Sequence, residues 1–130
     1  MGAIVTDDSG RFLLIQRGQE PALGCWSVPG GRVESGESDV DATAREVLEE
    51  TRLHVVVGSL AGSVERDAPD GSVYVIRDYL CTPADGVDPL AIAAASDADD
   101  VGWFTAVEMR ALDCSPCLIE AFEAWGLLSQ

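Results

Sequence analysis

Lysine is absent from this 130-residue chain, histidine occurs once, and all eight basic residues are arginine. Against them stand 23 acidic residues, for a formal net charge of −15. Such a surface repels a phosphate backbone, which argues against non-specific nucleic-acid binding. A small phosphorylated substrate stays open, provided a divalent cation offsets the repulsion. Long apolar runs are missing too: none approaches the ~20 residues of a membrane span, so no membrane partner is expected. The start lacks the basic segment and apolar stretch of a secretory signal, so a cytoplasmic protein is expected. Its four cysteines, Cys25, Cys81, Cys114 and Cys117, then default to reduced thiols. Cys114-Ser-Pro-Cys117 forms a single C-x-x-C with His54 far away in sequence, which favours ordinary thiols near a helix start over a redox pair or zinc site.

What is present suffices for one packed domain over residues 1–130, since 47% of the chain is hydrophobic. Ala3–Val5 and Phe12–Ile15 flank an Asp-Asp-Ser-Gly turn and read as a β-hairpin. A short strand, Cys25–Val28, ends at Pro29-Gly30-Gly31. A helix is expected from Ser38, whose hydroxyl can cap the first turn with Asp41 three residues on, to about Thr51. Strand follows from Leu53 to Asp67, bent at Gly58 or Gly62, then a turn and a strand from Ser72 to Cys81. An acidic loop over residues 83–100 leads to a short strand at Val101–Phe104. A short helix follows, then a terminal one from Pro116 to Leu128. Strands mixed with helices give an α/β or α+β domain.

The stretch Ala44–Leu53, AREVLEETRL, poses a physical problem. Glu46, Glu49 and Glu50 crowd one face of the expected helix, and like charges so spaced cost roughly 0.2–0.5 kcal/mol per pair. On a helical wheel Val40, Ala44, Val47, Leu48 and Thr51 form a core stripe, with the three glutamates centred opposite. A solvated acidic face is the ordinary reading of such a cluster. The preceding loop shifts the balance. Pro29-Gly30-Gly31 admits close backbone approach and leaves carbonyls free, and Glu34 and Glu37 add carboxylates. An all-oxygen, strongly anionic site suits Mg²⁺ or Mn²⁺ rather than zinc.

From Gly31 to Leu53 the chain reads GRVESGESDVDATAREVLEETRL. This resembles the signature of the Nudix hydrolases: glycine, five residues, glutamate, seven residues, then Arg-Glu-aliphatic-x-Glu-Glu-x-Gly-aliphatic. Gly31, Glu37, Arg45, Glu46, Val47, Glu49, Glu50 and Leu53 fall on their positions, and Arg52 replaces the second glycine. The resemblance implies a mixed β-sheet sandwiched between helices. It also implies divalent-metal-dependent hydrolysis of a nucleoside diphosphate linked to another moiety. By the same resemblance Glu46, Glu49 and Glu50 are the catalytic metal ligands, joined by the Gly30 carbonyl. Glu37 pairs with Arg45 to orient the loop, and either Glu49 or Glu50 could assist proton removal from the attacking water. Arg52 stands where a left-handed residue commonly ends the helix. Keeping that conformation costs arginine about 1 kcal/mol, unless the helix exits differently.

The substrate is less legible. Arg17 and Arg32 are candidate phosphate contacts, Arg77 a candidate cleft residue, and Trp26 a candidate base-stacking partner or core residue. Asp97, Asp99 and Asp100 are candidates for a further base or ligand. The stretches GCWSVPGGRVESGE and RDYLC look like small ADP-ribose pyrophosphatases, and Pro69 sits near a proline some of these carry. ADP-ribose or a nucleotide sugar is therefore expected. The alternatives are a nucleoside triphosphate pyrophosphohydrolase that sanitises oxidised nucleotides, or a sensing module without turnover. Many relatives of this type form homodimers that share the substrate pocket.

Overall fold

The computed structural model describes residues 1–128; the last two positions of the expected 1–130 domain lie outside the described residues. Among the described residues, six strands and three helices follow in the order β1 (Gly2–Val5), β2 (Phe12–Arg17), β3 (Trp26–Ser27), α1 (Asp39–Thr51), β4 (Val55–Asp67), β5 (Val73–Pro83), β6 (Ala98–Phe104), α2 (Ala106–Ala111) and α3 (Leu118–Ala124). They form two three-stranded sheets, ordered β1-β5-β4 and β3-β2-β6.

The expected opening hairpin does not form. Its turn is real: the Asp7 carboxylate accepts from the Ser9 and Arg11 backbone N–H groups at 3.0 and 2.8 Å. Beyond the isolated bridge Thr6↔Phe12 the two runs diverge. β1 pairs parallel with β5, from Gly2↔Asp78 to Val5↔Cys81, while β2 pairs antiparallel with β3 and β6. The reason is burial on both faces. Ile4, Phe12 and Leu14 enter a cluster with Met109, Leu118 and Phe122 from the α2 and α3 side. Ala3, Val5 and Leu13 enter a second cluster with Val47 and Leu53 from the α1 side. Strands buried on both faces read as unbroken apolar runs and carry no alternation to mark their partners. The result is a mixed-sheet core between α1 and α2/α3, an α+β architecture.

β4 breaks register between Val57 and Leu60 and again before Gly62, beside both glycines where a bend was expected. Gly62 is required by packing, because an added methyl would overlap the Trp125 indole. β6 begins three residues earlier than expected, at Ala98, shortening the acidic loop. α3 is shorter than the expected Pro116–Leu128 helix; Cys117, with φ 69°, precedes it and Gly126, with φ 72°, follows it.

Candidate active site

α1 is held at both ends. The Ser38 hydroxyl accepts from the Asp41 N–H at 3.1 Å. Asp39 accepts from Arg77 Nε and Nη2 at 2.6 and 3.1 Å and from the Tyr79 hydroxyl at 2.6 Å. These bonds hold its carboxyl down at about 2. At the far end Arg52 keeps the left-handed conformation, φ 66°, and its N–H donates to Leu48 O at 3.0 Å.

The buried side of α1 is turned from the expected stripe. Val40 is 48% exposed, whereas Ala42, Thr43, Val47, Glu50 and Thr51 are buried. The three glutamates therefore do not share one solvated face. They descend into the protein: the Glu49 side chain is 48% exposed, that of Glu46 15%, and Glu50 as a whole residue 6%. Tertiary packing rotated the helix, since the sequence period sets relative angles but not which neighbour covers them.

Arg45 organises the outer part. Its Nε and Nη2 grip Glu37 at 2.6 and 3.0 Å in a two-pronged pair, and Nη2 also donates to Arg32 O at 3.1 Å. Its Nη1 donates to Glu46 at 3.1 Å and to both Glu49 oxygens at 3.3 Å. The guanidinium holds the Glu37 carboxyl below its usual range. Glu46 rests against Gly31, where a methyl would meet Glu46 Cδ at 2.5 Å and push the flexible carboxylate aside. Burial pushes Glu46 upward, partly opposed by Arg45.

Glu50 stands apart from this network. Its Oε1 accepts from the Gly30 N–H at 2.8 Å. Burial drives its carboxyl up to about 7, more than the Gly30 bond and the distant Arg17 recover. The Gly30 carbonyl accepts no hydrogen bond among the described residues. Glu46, Glu49, Glu50 and that carbonyl offer only oxygen donors, the set a hard divalent cation takes. The fit is chemical rather than a preformed cage. Among the described residues no three acidic, histidine or cysteine side chains converge on one point. Closing a cage requires Glu46 and Glu49 to swing away from Arg45.

Two cavities flank the Gly30–Gly31 turn. One of about 200 Å³ is lined by Ile15, Arg17, Gly18, Gln19, Gly30, Gly31, Glu50 and Asp97. The other, of about 310 Å³, runs between the β4–β5 hairpin and the start of α3, with Val64, Tyr74, Ile76, Asp78, Leu118 and Ala121 among its walls. Ile15, Arg17, Gly30 and Gly31 border both. Of the four expected substrate contacts, only Arg17 reaches these cavities. Trp26 packs edge-on against Phe104, with ring centroids 5.0 Å apart. Arg77 is spent on Asp39. Arg32 is exposed and lines neither cavity. Of the three aspartates in the acidic stretch, Asp97 is the one that lines a cavity, where its carboxylate accepts from Gln19 at 3.0 Å. Asp78 escaped the sequence reading; its only signal is an acidic residue inside the apolar run VYVIRDYLC.

The NUDIX domain family model matches residues 1–120. The chain is 43% identical over 100 residues to the ADP-ribose pyrophosphatase of Methanocaldococcus jannaschii, a match covering 77% of this chain and 57% of that protein. It is 31% identical over 107 residues to the 8-oxo-dGDP phosphatase NUDT18 of Mus musculus, covering 82% and 32%. The crystal structure of a MutT protein from Methanosarcina mazei superposes with a TM-score of 0.77 at 23% identity, over 96% of this chain and 89% of that one. The chain belongs to the Nudix hydrolase family. It spans 30 to 63% of the length of four of its curated relatives. Hydrolases of this family generally use divalent metals and act on small nucleotide substrates, and no helix among the described residues is long and apolar enough to cross a membrane.

Proposed function

We propose that this protein hydrolyses the pyrophosphate bridge of a nucleoside diphosphate linked to a second moiety, with ADP-ribose or a related nucleotide sugar as substrate and Mg²⁺ or Mn²⁺ as cofactor. The observation that carries this reading is the junction at Gly30–Gly31. A largely apolar cavity and an acidic one meet there around the buried Glu50 carboxylate. A pyrophosphate across the turn would place a nucleoside in the larger space and its partner in the smaller. The identity with the archaeal ADP-ribose pyrophosphatase supports the substrate class.

In this reading Glu46, Glu49, Glu50 and the Gly30 carbonyl hold the cation. A divalent cation held there would neutralise the carboxylates, polarise phosphate oxygens and lower the pKa of the attacking water. The chain's remaining residues position. Glu37 and Arg45 lock the motif loop to α1, Gly31 lets that loop sit against Glu46, and Arg17 contacts phosphate at the shared rim. Four unpaired thiols suit the reducing cytoplasm.

A substrate panel with Mg²⁺, run with and without chelator, tests the proposal. AMP and ribose 5-phosphate from ADP-ribose, lost with chelator, is the expected result. Monophosphate and pyrophosphate from a nucleoside triphosphate alone would move the substrate to the nucleotide-sanitising class. Ligand binding without turnover on any pyrophosphate would refute catalysis in favour of sensing.

A further inference from the structure

The two walls of the larger cavity are tied together at its outer end. Outward along the β4–β5 hairpin the pairs run Gly62↔Asp78, Val64↔Ile76 and Arg66↔Tyr74. Asp78 is buried at the inner end, between Gly2 and Gly62, and Tyr74 is exposed at the outer end. Leu118 and Ala121 of α3, with Ser115 and Cys117 ahead of them, form the facing wall. Arg66 Nη2 donates to Pro116 O at 2.7 Å across the outer end. Among the described residues this is the one hydrogen bond between the hairpin and residues 115–128.

The donor rides on a weakly supported element. β4 loses register between Val57 and Leu60 and again before Gly62, which marks a point of bending. Beyond it Glu65, Arg66, Val73, Tyr74 and Val75 are all exposed. A two-stranded ribbon with so little buried surface opens at low free energy, so one tie can set its position.

The acceptor sits in a strained turn. The Leu118 N–H donates to Ser115 O at 3.3 Å, Pro116 is second in the turn, and Cys117 is third at φ 69° and ψ 3°. This is a type II turn, whose third residue is usually glycine. Flipping the Pro116–Cys117 peptide converts it to type I, which proline accepts as readily and cysteine prefers. The flip points Pro116 O to the other side of the turn, so only the type II form offers it to Arg66. The left-handed conformation disfavours that form for cysteine by roughly fivefold or more. The charge-assisted bond from Arg66 opposes this strain.

We propose that Arg66 and Pro116 form a latch on the cleft, fastened in the type II turn and released when the Pro116–Cys117 peptide flips to type I. Fastened, it draws the distal hairpin toward α3 and retains a ligand between the walls. Released, it lets the hairpin swing about Gly58–Gly62 and the ligand leave. Retention of a ligand rests on the reading that one half of the substrate occupies the larger cavity; the latch itself does not.

Two readouts on the full chain test this. One is amide hydrogen exchange of residues 63–76 in the ligand-free protein. The other is the dissociation rate of a ribose-labelled fluorescent ADP, followed by stopped flow in chelator. Arg66→Met keeps the length of the side chain and removes the donor, and should speed both by about fivefold or more. Cys117→Gly relieves the strain and should slow both by about fivefold. Cys117→Ala keeps the strain, removes the thiol and should match wild type. In an Arg66→Met background Cys117→Gly should lose its effect, which a general gain in stability would not do. Unchanged exchange in Arg66→Met, or an equal effect of Cys117→Gly in both backgrounds, overturns the proposal. The expected exchange pattern in a protein that binds no ADP analogue would support the latch and sink the placement of substrate in this cavity.

Discussion

Glu50→Gln should make the metal-free protein more stable at neutral and alkaline pH while abolishing its hydrolytic activity. Glu50 is 6% exposed and makes no ion pair among the described residues, and its carboxyl moves from the usual 4.5 to about 7 on folding. Between those values the native state holds a proton that the unfolded state has released, so stability falls as pH rises. A shift of this size corresponds to about 3 kcal/mol, complete above pH ~7 and absent below ~4.5. Glutamine removes the ionisation and keeps an oxygen for the Gly30 N–H bond at 2.8 Å. In chelator at pH 8 the variant should therefore melt roughly 10 °C above wild type, with the difference closing toward pH 4.5. Added Mg²⁺ should raise wild type by mass action and leave the variant nearly unmoved. Thermal melts from pH 4.5 to 8.5, with and without metal, measure all of this. Parallel stability curves for the two proteins in chelator would refute the claim that a buried, uncompensated carboxylate sits here.

Three further outcomes follow from the geometry. Gly31→Ala should cost about 1 kcal/mol or less of stability, because the atoms it meets are the movable end of Glu46, and should lower kcat in assays with saturating Mg²⁺ by displacing that carboxylate. Arg52→Gly should stabilise by about 1 kcal/mol in denaturant melts and leave metal-dependent hydrolysis unchanged, because the left-handed φ of 66° strains arginine but not glycine. Gain of activity from an inactive parent would contradict that account. Arg17→Ala should raise KM about tenfold or more with a smaller effect on kcat in steady-state kinetics, because Arg17 borders both cavities at the proposed phosphate position.

Local chemistry was readable in the sequence wherever the interacting groups are close along the chain. The Ser38 cap, the extent of α1, the Glu37–Arg45 spacing and the bends near Gly58 and Gly62 all depend on neighbours within a turn or a strand. The left-handed exit at Arg52 was one of two readings, and the structure selects it. The opening hairpin failed for the opposite reason. Ala3–Val5 and Phe12–Ile15 are apolar on both faces, and nothing in such runs specifies a partner 76 residues away, as in Ala3↔Tyr79.

The order of the motif residues, their oxygen-only chemistry and the strongly negative net charge belong to the sequence by itself. Which glutamate is buried belongs to the tertiary structure, because helical periodicity sets angles between residues but packing sets where the stripe points. The same holds for the cleft. Arg66 becomes significant only when Pro116, 50 residues on in the chain, lies across the cleft and turns its carbonyl toward it. Placement of α3 opposite the hairpin, which chain order does not encode locally, makes that juxtaposition.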